Sequence, residues 1–295
     1  MKLLLTALFI LIVPNVGHAL QSDWMSKIPD KTSLAAINIP GTHNSGATRE
    51  PILGTAKCQS MSLQEQLESG TRFFDIRCRH SKDQFAIYHG LVSQNLNFTQ
   101  VLKTFQTHLQ NHPSETIVVS IKQEYKPRQN SQSFTQTLRN YIDQSRSTWY
   151  LEESIPSLAN VRGKIVLLRR FASQEPLGIP AIDWESNGFH KAKNIFVQDR
   201  YSLPDADTKW KTIEHAFLFS TKEKSDLRIH LHYTSGYVNN NYGLPNIRSI
   251  SDSINQQLTD YLRTASHNRH GFIIVDFMTP ELAKSIYQLN FPIDD

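Results

Sequence analysis

Short apolar runs alternate with helix-period stretches along most of this chain. Ala35–Ile39, Phe73–Ile76, Phe85–Tyr88, Thr116–Ile121, Lys164–Leu168, Ile195–Val197, Arg228–Leu231 and Phe272–Val275 read as strands, several of them β-branched and bounded by turn residues. Ser62–Glu68, Thr99–Leu109, Thr208–Phe219, Ser251–Thr264 and Pro280–Leu289 carry apolar residues at three- and four-residue spacing, with Thr99 and Ser251 as expected N-caps. Strands interleaved with helices predict an α/β fold, a parallel (β/α)8 TIM-like barrel. The helix count is irregular, and the turn at Ser81-Lys-Asp83 leaves no room for a helix between its flanking strands. A hairpin-like step and a distorted, incompletely closed barrel are therefore expected, as a single domain.

In such barrels chemistry gathers at the C-terminal ends of the strands. The residues at those exits here are His43, Asp75 and Arg77, His89, Lys122, Arg169 and Arg170, Asp199 and Tyr201, and Asp276. His43 stands in Ile39-Pro-Gly-Thr-His43-Asn44-Ser-Gly46, where two glycines allow close backbone approach to a ligand. Two histidines with an arginine suit acid–base chemistry on a phosphodiester. Each residue also has a plainer reading. His89 suits a buried histidine bonded to a carbonyl, and Arg77 a simple partner for Asp75 on the same strand face. Lys122 suits a solvated run and Arg170 the surface. Asp276 ends an apolar run and needs a partner once buried, a histidine being the natural one. His230 and His232 share a strand face without a third metal ligand and read as structural. Asn97-Phe98-Thr99 fits a glycosylation sequon.

The first 19 residues have the pattern of an export leader: Lys2, an apolar core from Leu3 to Val13, and Gly17-His18-Ala19. A secreted or periplasmic chain of about 276 residues is expected, with formal charge falling from +4 to +3 once Lys2 is removed. That is too weak for a nucleic-acid binder and allows only mild attraction to anionic surfaces. Cys58 and Cys78 either form a disulfide, which export permits, or remain two buried thiols. Alternation points Cys78 away from the face of Arg77.

The ordered set of stretches resembles the bacterial phosphatidylinositol-specific phospholipases C of the metal-independent type. It comprises the His43 segment, Phe74-Asp-Ile-Arg77, His89-Gly90, Pro113-Ser-Glu-Thr-Ile117 with Ser120-Ile-Lys-Gln-Glu-Tyr125, Arg162 to Arg170, Val197-Gln-Asp-Arg-Tyr201 and Gly271-Phe-Ile-Ile-Val-Asp276. The likeness runs from about Trp24 to Tyr287. It implies cleavage of phosphatidylinositol in membranes or micelles to diacylglycerol and a 1,2-cyclic inositol phosphate. His43 would be the general base, His89 the general acid, Arg77 the phosphate ligand, and Asp276 the group orienting His43. Asp75 accompanies Arg77. Lys122, Arg170, Asp199 and Tyr201 match positions that hold the inositol ring. No cofactor, a monomer and peripheral membrane contact are implied.

Three departures stand out. Asn44 replaces an aspartate that supports the second histidine in metal-independent relatives. Asparagine there is usual in calcium-dependent ones, yet Arg77 and Lys122 occupy would-be calcium-ligand positions and should repel the ion. The rim segments Arg49–Lys57 and Gly236–Asn246 lack tryptophan and offer Ile52, Leu53, Tyr237, Tyr242 and Leu244 instead. The rival readings are a non-catalytic inositol- or phosphate-binding barrel and a phosphodiesterase for another headgroup.

Overall fold

The structure is a computed structural model that describes residues 22–291 apart from 183, 185, 186 and 224. The expected leader, residues 1–19, lies outside the described residues. The strands are β1 (Ile39–Thr42), β2 (Phe73–Ser81), β3 (Gln84–His89), β4 (Val92–Asn97), β5 (Ile117–Gln123), β6 (Trp149–Tyr150), β7 (Ile165–Arg170), β8 (Ile179–Pro180), β9 (Gly188–Lys191), β10 (Ile195–Asp199), β11 (Ile229–Tyr233), β12 (Val238–Asn239), β13 (Pro245–Asn246) and β14 (Phe272–Val275). The main sheet runs β6-β7-β5-β2-β1-β14-β11-β10-β9, with β8 also on β7. Its central strands are parallel, while β9 joins β10 antiparallel. Among the described residues no ladder joins β7 or β8 to β9 or β10, so the barrel curls without closing.

Side-chain alternation builds two layers from the same strands. Phe73, Val118, Val166, Leu231, Phe272 and Ile274 fill the interior. Their neighbours Phe74, Val119 and Leu167 face outward and pack beneath the helix Phe98–Asn111. Gly41 sits where β1 meets that interior. A Cβ there would lie 2.9 Å from Phe73 Cδ1 and 3.1 Å from Ile274 Cγ1.

The expected hairpin is present. β2 runs on to Ser81 and returns as β3 through Lys82 and Asp83, both at positive φ. Two consecutive left-handed residues are what a tight two-residue hairpin turn requires.

Several local expectations need correction. The run Ala35–Ile39 is not one strand. Leu34–Ala36 form a 3-10 turn and β1 begins only at Ile39, because a run as short as Ala-Ala-Ile-Asn-Ile does not distinguish turn from strand. Thr99 does not cap its helix. Asn97 does, in a capping box with Gln100. Ser251 lies buried inside a helix that starts at Arg248. Ser62 does cap its helix, reciprocally with Glu65. The disulfide alternative is not realised. Cys58 packs with Ala47, Ile247 and Phe277, whereas Cys78 lies on the outward face of β2, and both thiols are free.

Candidate active site

The parallel register brings the predicted residues to one end of the barrel. Arg77 of β2 pairs with Lys122 of β5, which pairs with Arg170 of β7, so three cations form a row across three strands. His43 follows β1 directly, and its backbone N–H donates to Val275 O, which puts Asp276 beside it. A cavity of about 650 Å³ opens here, walled by His43, Arg77, His89, Lys122, Arg170, Asp199, Tyr201 and Asp276. Asn44 and Asp75 are buried behind this wall, at 2% and 0% exposure.

The hydrogen bonds set the state of His43. Its Nδ1 lies 2.8 Å from Asp276 Oδ1, and its Nε2 lies 2.9 Å from Arg77 Nη2. A guanidinium can only donate, so Nε2 bears the lone pair and Nδ1 bears the proton given to Asp276. Gln59 Nε2 donates to the carbonyls of both His43 and Val275, fixing the two strand exits against each other. Arg77 also donates from Nε and Nη2 to Asp75 Oδ2, at 3.1 Å each. Arg170 reaches Asp75 Oδ1 at 3.4 Å. Burial pushes the Asp75 carboxyl up, but the Arg77 and Arg170 charges more than reverse this and hold it well below the usual carboxylate range.

His89 stands across the cavity, its ring centroid 6.3 Å from that of His43. Its Nδ1 donates to Ala56 O at 2.8 Å and lies 3.7 Å from Cys58 Sγ. Nε2 is left as the nitrogen available for proton exchange. Burial, reinforced by the Arg77 charge, lowers its pKa to about 4. Asn44 does not supply a counterion. At φ 43° it turns its Nδ2 toward His43 Nε2 at 3.4 Å. Arg77 and burial likewise lower the pKa of Lys122, whose Nζ is 3.9 Å from Glu124.

Arg170 is not a surface residue, its side chain being 9% exposed and facing the cavity; Lys122 faces the same cavity and keeps 39% side-chain exposure. Two contributors were missed, Trp184 and Glu124, and the rim residue Tyr237 takes a further part. Trp184 forms one wall: Arg170 lies over its ring at 3.2 Å from the centroid, and its Nε1 donates to Asp199 Oδ2 at 3.2 Å. It sits in an irregular stretch with no periodicity to mark it, outside the two rim segments that lack tryptophan. Glu124 accepts from the Gly90 N–H at 2.7 Å, tying the His89 turn to β5. Tyr237 stacks on Tyr201 with centroids 6.1 Å apart. The reading of His230 and His232 as structural holds. Both contact Ser220 Oγ at 2.7 Å, His230 also meets Asp226, and Ser220, His230 and His232 are buried.

Residues 34–171 match the family described as phosphatidylinositol-specific phospholipase C, X domain. The chain is 32% identical to a 1-phosphatidylinositol phosphodiesterase of Listeria monocytogenes, over 94% of this chain and 87% of that one. This chain belongs to the phosphatidylinositol-specific phospholipase C family. Solved structures in the family agree. A variant of the Staphylococcus aureus enzyme superimposes with a TM-score of 0.85 at 25% identity, covering 93% of this chain and 99% of that one. The Listeria monocytogenes phospholipase C does so with a TM-score of 0.74 at 28% identity, covering 92% and 99%. The distorted TIM-like barrel is thus the family's fold.

Proposed function

We propose that this protein cleaves phosphatidylinositol to diacylglycerol and 1,2-cyclic inositol phosphate. The observation that carries the reading is His43, oriented by Asp276 on one nitrogen and presenting a lone pair on the other, with a second histidine across a cationic cavity. The inositol 2-hydroxyl gives its proton to His43 Nε2 as its oxygen bonds to phosphorus. Arg77 turns from His43 to the nonbridging oxygens, where its charge is worth most as negative charge develops. The bond to the diacylglycerol oxygen breaks and that oxygen takes a proton from His89 Nε2. Asp276 stabilises the resulting His43 imidazolium. Hydrolysis of the cyclic product runs the same transfers in reverse, His89 now accepting a proton from water. Lys122, Arg170 and Asp199 bond the ring hydroxyls, and Tyr201 stacks on the ring.

The reaction is proposed to need no metal. Asp75, the buried carboxylate nearest Arg77, is already neutralised by two arginines, and Arg77 and Lys122 oppose a hard dication. Access to lipid falls to the rim: Leu53 and Tyr242 of the two rim segments are 90% and 89% exposed, Leu91 after β3 is 70% exposed, and Ile247, just past the second segment, donates its N–H to Gly54 O of the first. No helix among the described residues is long and apolar enough to cross a membrane, which suits peripheral contact. An exported, secreted or periplasmic monomer completes the reading.

One observation favours a binder that keeps headgroup without turnover: among the described residues, no carboxylate hydrogen-bonds His89. Phosphorus NMR of phosphatidylinositol micelles with the purified chain in EDTA decides between them. A 1,2-cyclic phosphate signal is expected. Silence in EDTA with product on adding Ca²⁺ would refute metal independence, and silence in both would leave the binder or another headgroup.

A further inference from the structure

Behind the catalytic wall, outside the residues that line the cavity, lies a buried thiol. Cys58 is fully buried and free, with its Sγ near both His89 and Asp276. Cys58, His43 and Asp276 each present a ligand atom, and these three atoms lie within 4.8 Å of one another. A second observation concerns the carboxylate beside it. Asp276 is 1% exposed, yet its Oδ2 has no hydrogen-bond partner, while Oδ1 is used by His43. A buried carboxylate oxygen left unpaired beside a thiol is an acceptor waiting for a cation.

We infer that Cys58, Asp276 and His43 form an inhibitory site for a zinc-class cation, one that switches off the base of the proposed reaction. A thiolate, an imidazole nitrogen and one carboxylate oxygen make a ligand set for Zn²⁺ or Cd²⁺, with one position open for water. The same set is poor for Ca²⁺ or Mg²⁺, which want oxygen. Metal–ligand bonds of about 2.0–2.3 Å require the three atoms to draw in by about 1 Å, within side-chain reach. On binding, the Cys58 S–H bond breaks, its proton leaves to solvent, and the sulfur bonds to the metal. Thiolate and carboxylate then neutralise the dication, which offsets repulsion from Arg77. The metal takes the carboxylate that orients His43 and one ring nitrogen, either Nε2 through its lone pair or Nδ1 once the proton there has moved to Nε2, and by either route His43 can no longer accept the 2-hydroxyl proton. Entry is through the cavity, which His43 and Asp276 both line. The inhibition rests on the phosphodiesterase reading, but the binding does not.

Cadmium titration of the full chain, followed by the ultraviolet thiolate-to-cadmium absorption, tests the site without any turnover. One Cd²⁺ per chain is expected, with the band lost in Cys58→Ser and kept in Cys78→Ser. Should Cys58→Ser fail to fold, Asp276→Asn keeps the thiol and should weaken Cd²⁺ by about ten-fold or more. In parallel, Zn²⁺ should inhibit phosphatidylinositol cleavage, and Cys58→Ser should need about ten-fold or more extra Zn²⁺ for half-inhibition relative to its own metal-free rate. A cadmium band that survives in Cys58→Ser, or Cd²⁺ affinity unchanged in Asp276→Asn, would overturn the site. Binding as expected without loss of turnover would overturn the inhibition alone. Absence of turnover in the metal-free protein would count against the phosphodiesterase reading and leave the cadmium result standing.

Discussion

Replacing Asn44 by aspartate should move the alkaline limb of kcat/KM to higher pH. In the proposed mechanism His89 must carry a proton when substrate arrives, and burial with the Arg77 charge holds its pKa at about 4. Above that pH the acid form is scarce, so kcat/KM should fall as pH rises. The Asn44 side chain contacts His43 Nε2 and lies against Cys58, whose sulfur is 3.7 Å from His89 Nδ1. A carboxylate there, about 6 Å from the His89 ring, would favour the imidazolium by roughly 3 kcal/mol at an effective dielectric of about 20. That corresponds to about 2 pH units, and sharing with Arg77 reduces it to about 1–2. The sign follows because a raised pKa extends the range over which the acid keeps its proton. The effect is read as displacement of the alkaline limb and not as a rate at one pH, because the same carboxylate also faces His43 Nε2. The left-handed backbone at Asn44 is no obstacle, since aspartate also tolerates it. The assay is initial rate at low concentrations of a short-chain phosphatidylinositol, from about pH 4 to about pH 8, with Asn44→Ala as the neutral control. A limb that stays in place, or shifts equally in Asn44→Ala, would refute the electrostatic argument.

His89→Ala should lower cyclic phosphate release by about 10²–10⁴-fold with a normal thermal melt at pH 7. The same side chain is buried neutral, so the unfolded chain binds more protons between about pH 6.5 and about pH 4; wild-type stability should fall as pH drops through that window, and His89→Ala should fall less. Trp184→Ala removes the ring beneath Arg170, worth about 1–2 kcal/mol, and should weaken competition by free inositol phosphate roughly five- to thirty-fold. Gly41→Ala forces a Cβ against Phe73 and Ile274 and should cost about 1–3 kcal/mol in a urea melt, with no change taken as failure of the packing argument. Leu53→Ser with Tyr242→Ser should reduce co-sedimentation with phosphatidylinositol vesicles while turnover of a soluble substrate persists.

The sequence by itself determined most of the central barrel strands, the hairpin-like step at Ser81-Lys-Asp83, and the polar residues at strand exits. These are local properties: period-two alternation assigns the face, and the end of an apolar run marks the exit. It also determined that Asp276 needed a partner and that a histidine suited it, because burial follows from the run Phe272–Val275. Only the tertiary structure decided which charges meet. The row Arg77, Lys122, Arg170 depends on pairing between strands some 45 residues apart, and no local pattern encodes register across that distance. The fate of the cysteines was decided the same way, by one thiol facing the catalytic end and the other the outer helix layer. Trp184 entered the site from an irregular stretch whose direction comes from its contacts with Arg170 and Asp199. The Asn44 amide turned to His43 rather than His89 because a left-handed φ, fixed by the turn after β1, aims its side chain. Residue type and period are written along the chain, but direction and proximity arise only when distant segments pack.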